Sequence, residues 1–119
     1  MKAISSALLQ AALVLALQSP IAAEGSSAEA ERRLFETLRA DHIYPRTECI
    51  ALQQEDNKQG WIFFAVREKH DAACGGDPQT MPVIDRFRVK AEGSSIEYYD
   101  PIEDDYSAYA DFKKSHSKK

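Results

Sequence analysis

The spacing of apolar positions changes character at Pro45. Before it, Leu34, Phe35 and Leu38 recur at helical intervals in a stretch rich in Ala, Glu, Arg and Leu, which predicts an amphipathic helix. Ser26 and Glu29 have the spacing of a capping box and mark its expected start; the helix should fade near Asp41. Pro45 pushes Tyr44 into an extended conformation, and from there the period is two. Ile50 and Leu52 mark a strand over 48–54, and 55–60 reads as a polar turn. Trp61 to Lys69, dense in aromatic and β-branched residues, carries the clearest strand signal. Asp71 to Pro82 contains Gly75-Gly76 and two prolines and should be irregular. A third strand follows over 83–90, with Val83, Phe87 and Val89 on one face. Glu92-Gly93-Ser94 turns the chain into a fourth over 95–99, which Asp100-Pro101 ends. The expected fold is therefore α+β, an N-terminal helix packed on a four-stranded antiparallel meander. Beyond it, Ile102 to Phe112 is acidic, and Tyr106, Tyr109 and Phe112 are spaced to dock on the body.

The two ends read differently. Lys2 followed by the apolar run Leu8–Leu17 and the small-residue stretch ending at Ala23 has the form of a secretory signal. The run is shorter than the about 20 residues a membrane span needs. The expected organisation is a signal peptide over 1–23, a single α+β domain over 24–112 and a disordered basic tail over 113–119. Cleavage near Ala23 makes the mature chain periplasmic or secreted, with no membrane span. It also removes Lys2 and moves the net charge from −4 to about −5. A domain this small buries a modest fraction of its surface, so a covalent staple matters. In an oxidising compartment Cys49 and Cys74, the only two cysteines, should pair into one disulfide. Closing that loop contributes about 3.5 kcal/mol on the chain-entropy account.

Catalytic chemistry has little support. A nucleophilic cysteine needs a free thiol and a base; His70 stands near Cys74, but the disulfide would consume the thiol. No nucleophile elbow and no zinc-protease helix is present. His70, Asp71, Cys74 and Asp77 lack the paired spacing of a structural zinc site. Asp100, Glu103, Asp104 and Asp105 lack the alternation and glycine of a calcium loop, so they read as a solvated acidic segment. No cofactor, metal or nucleic acid is expected. The chain reads as a non-enzymatic binding protein whose partner is another protein or an acidic ligand. The alternative is a small hydrolase or metal-dependent enzyme using His70 and nearby carboxylates.

Strand parity sharpens the binding reading. With Ile62, Phe64 and Val66 facing the helix, Trp61, Phe63, Arg67 and Lys69 face away. With Val83, Phe87 and Val89 inward, Arg86 and Arg88 face outward. These six form the candidate partner surface, since aromatics and arginine are enriched in binding hot spots. Two arrangements satisfy the pattern. Either the face is open, or Glu97 and the acidic 100–105 segment fold over it with Tyr106 and Tyr109 on Trp61 and Phe63.

The block from Phe64 to Val89, with Arg67-Glu68-Lys69-His70, Cys74-Gly75-Gly76-Asp77-Pro78, Pro82 and Arg86-Phe87-Arg88-Val89, resembles one in small exported Gram-negative proteins of unassigned function. Tyr98-Tyr99-Asp100-Pro101 is similar to their C-terminal segment. Together these cover about half the mature chain and imply no catalytic residue. Size, export and a single staple are also similar to periplasmic lysozyme inhibitors, whose Ser-Gly-x-x-Tyr pattern Ser94-Ser95-Ile96-Glu97-Tyr98 loosely resembles. Toxin-immunity proteins have comparable size and acidity. The helix-then-meander order resembles cystatin-like inhibitors in outline. The lysozyme-inhibitor and immunity-protein resemblances imply inhibition or neutralisation of a protein partner; the cystatin-like outline implies no function.

Overall fold

The computed structural model describes residues 19–117. Helix α1 (Ser19–Ala40) is followed by a 3-10 turn (Thr47–Cys49) and strands β1 (Ile50–Lys58), β2 (Trp61–Glu68), β3 (Val83–Lys90), β4 (Ile96–Asp100) and β5 (Asp105–Ala108). Helix α2 (Tyr109–Ser117) closes the chain. The strands form one antiparallel sheet in the order β1-β2-β3-β4-β5.

α1 packs through Ala30, Leu34 and Leu38, at most 1 % exposed, one helical turn apart and so on one face. The helix starts earlier than its sequence signal. Pro20 falls in its first turn, where N–H groups have no intrahelical partner and proline is tolerated. The expected capping box at Ser26 and Glu29 therefore lies inside the helix rather than at its start. Residues 1–18, most of the expected signal, lie outside the described residues, and the expected cleavage point after Ala23 falls within α1. α1 ends where expected. His42 takes a left-handed conformation (φ 52°), and Ile43 N–H donates to the Leu38 carbonyl at 3.1 Å, the bonding of a Schellman cap.

The structure corrects the sequence reading from β1 onward in three places. β1 runs on to Lys58 with a bulge at Glu55, so only Gln59 and Gly60, both at positive φ, make the turn. That is the two-residue hairpin geometry whose twist matches the flanking strands. The sheet has five strands, not four. Asp100 takes the N–H groups of Ile102 and Glu103 on its carboxylate at 2.9 and 3.3 Å, turning the acidic segment back into β5. Finally, Lys113 to Ser117 belong to α2 rather than to a disordered tail; Lys118 and Lys119 lie outside the described residues.

Ile62, Phe64, Val66, Phe87 and Val89 are 0 % exposed and form the inner face beneath α1. α2 extends that layer. Phe112 stacks on Tyr98 with ring centroids 4.2 Å apart and meets Phe87 edge-on at 5.2 Å. Asp41, just past the end of α1, accepts hydrogen bonds from Tyr109 at 2.8 Å and Lys113 at 3.1 Å. Arg33 reaches from α1 to the carbonyl of Gly93, where a Cβ would stand 2.9 Å from the guanidinium; glycine lets the β3–β4 turn approach the helix. Cys49 and Cys74 form the expected disulfide, Cα–Cα 5.6 Å. No described helix is long and apolar enough to cross a membrane.

Candidate functional site

Alternation in β2 and β3 places Trp61, Phe63, Arg86 and Arg88 together on the face opposite the helices. The register sets Trp61 against Lys90, Phe63 against Arg88 and Ala65 against Arg86. The Arg88 guanidinium lies 4.1 Å from the Trp61 ring centre and 4.2 Å from that of Tyr106. Two of its nitrogens donate to Glu97 at 2.8 and 2.6 Å. Lys90 sits 4.7 Å over Trp61, and Lys58 5.6 Å over Phe63. Cation–π contacts of this kind hold the rings in place. Arg86 donates to Glu55 at 2.9 Å, which raises its already high pKa. Burial raises the pKa of the Tyr106 phenol.

The expected surface is thus assembled in its centre and divided at one end. Arg67 binds Gln53 and the Met81 carbonyl, tying β2 to the 71–82 loop. Lys69 lies past the end of β2 and lines two clefts beside α1 and the disulfide. The acidic segment forms the β4–β5 turn and an edge strand instead of folding over the sheet. Tyr106 does reach Phe63, edge-on at 5.9 Å, but Tyr109, which opens α2, goes to the inner face near Phe87. β5 ends at Ala108, and Tyr109, the first residue of α2, follows that helix onto the inner layer. Sequence reasoning missed Lys58, Lys90 and Tyr99 as members of this face. The first was hidden by reading its strand as a turn; the others follow from extending the parity one step.

His70 is fastened. Its Nε2 lies 2.9 Å from the Glu68 carboxylate and its Nδ1 2.9 Å from the Asp77 carbonyl. Both neighbours are acceptors, so the geometry favours the doubly protonated ring, and the Glu68 hydrogen bond first of all raises its pKa. Asp77 also accepts the Gln79 N–H at 2.9 Å, the side-chain-to-backbone turn expected before Pro78. Both thiols are in the disulfide. Among the described residues no group of three or more His, Cys, Asp or Glu is placed to hold a metal. Ser94 donates to Glu92 in the β3–β4 turn, and Tyr98 is stacked on Phe112 in the inner layer. Comparison with family models, curated proteins and solved structures finds no match to the chain.

Proposed function

We propose that this chain is a small exported binding protein, without catalysis of its own, that engages a partner protein through the outer face of its sheet. The observation that carries the reading is Arg88 held between Trp61 and Tyr106 on a face that neither helix covers. Large aromatics and arginines on a rigid sheet lose little side-chain entropy on docking. Lys58, Arg67, Arg86, Arg88 and Lys90 stand against Glu55, Asp56 and Glu97, so the face suits an acidic partner surface. The disulfide suggests an oxidising compartment, which supports export to the periplasm or beyond.

The test is capture from periplasmic extract with the wild type and with a Trp61→Ala/Arg86→Ala variant of unchanged melting temperature. A partner retained stoichiometrically by the wild type and lost by the variant is expected. Equal retention by both rejects the face. Lysozyme inhibition or toxin neutralisation is a finer form of the binding-protein reading that need not use this face. A cationic lysozyme would be steered to the acidic β4–β5 turn rather than to the cationic face. Absence of inhibition of c-, g- and i-type lysozymes at micromolar concentration removes that form alone.

A further inference from the structure

The disulfide end of the molecule holds a cleft of about 340 Å³, within the size range of small-ligand sites. Tyr44, Pro45, Ile50 and Ile84 give it a largely apolar lining. We propose that this cleft is a second binding site, taking an organic carboxylate with a compact apolar body.

The cleft carries an unmatched charge. Lys69 lines it half-buried, and among the described residues no carboxylate pairs with it. Arg46, Lys69 and His70 stand against Glu68 alone in the lining, so the cleft is locally cationic and a place for an anion. Glu68, the one carboxylate in the lining, is engaged by His70. Arg46 adds a further cation at the rim, where its partner is the exposed Glu48. A single unpaired ammonium beside apolar walls matches a monoanion better than a phosphate dianion.

The walls are also fixed before any ligand arrives. The disulfide joins one side of the cleft to the other, and Tyr44 donates to Asp85 at 2.6 Å. A Cβ on Gly76 would stand 2.6 Å from the His70 ring, so the loop lies directly on the imidazole. This site is independent of the outer face and stands or falls separately.

The test is a heteronuclear NMR titration of the disulfide-intact protein with N-acetylleucine and hexanoate, against N-acetylleucinamide and hexanol. Saturable shifts at Lys69, His70, Gly75 and Ile84 are expected with the carboxylates, at least about tenfold tighter than with the neutral analogues. Lys69→Gln should weaken carboxylate binding by about tenfold. Tighter binding of N-acetylleucine assigns a peptide C-terminus as the source, and tighter binding of hexanoate an alkyl carboxylate. No saturable shift at these residues, equal binding of charged and neutral probes, or unchanged affinity in Lys69→Gln overturns the proposal.

Discussion

His70 and Asp41 are fastened by opposite ionisations and so respond to opposite ends of the pH range. The His70 pKa is raised above its ordinary 6.5, so its contribution is complete below that value and is lost as pH rises through the folded pKa. The melting-temperature gap between wild type and His70→Gln should therefore be widest below pH 6.5 and close at higher pH. A gap constant from pH about 5 to 9 would contradict the clamp. The Asp41 pKa is lowered from 3.8, chiefly by the Tyr109 hydrogen bond, so its hold on α2 fails only in acid, as pH falls through the lowered value. At Gly76, φ is +85° and the Cβ position is occupied by the His70 ring. Gly76→Ala should cost about 1–3 kcal/mol in urea denaturation, where Gly75→Ala, with nothing near its Cβ, carries the backbone strain alone.

Among the elements, α2 and the staple contribute in different ways. Phe112 is 6 % exposed, and Phe112→Ala should lower stability by about 3–5 kcal/mol. Cys74→Ser opens a loop of sequence separation 25 and should cost about 3.5 kcal/mol, read as a lower midpoint in denaturant. The packed part of α1, β2 and β3 were legible in the sequence because burial on one face imposes a clean period on each. β5 was not. Its four residues follow an acidic turn, and the interval from Tyr106 to Tyr109 to Phe112 looks helical although Tyr106 is in a strand. The polar end of β1 was read as a turn because an edge strand needs no apolar residues beyond the helix it packs under.

For the whole molecule, the outer face was legible as a set of outward residues, while its state was not. Composition alone left open whether the acidic segment covered it; β5 at the sheet edge keeps the acidic turn off the face, while Tyr106 and Glu97 cover part of it. Partner binding through that face should weaken as salt rises. Trp61 is the only tryptophan in the chain, so its emission reports on the face directly. The most direct measurement is a titration of the protein with its captured partner, following Trp61 fluorescence and the chemical integrity of the partner together. A saturable change that ends at a stoichiometric ratio and leaves the partner unmodified is the predicted result. Binding without any change at Trp61, or conversion of the partner beyond stoichiometric amounts, would contradict it.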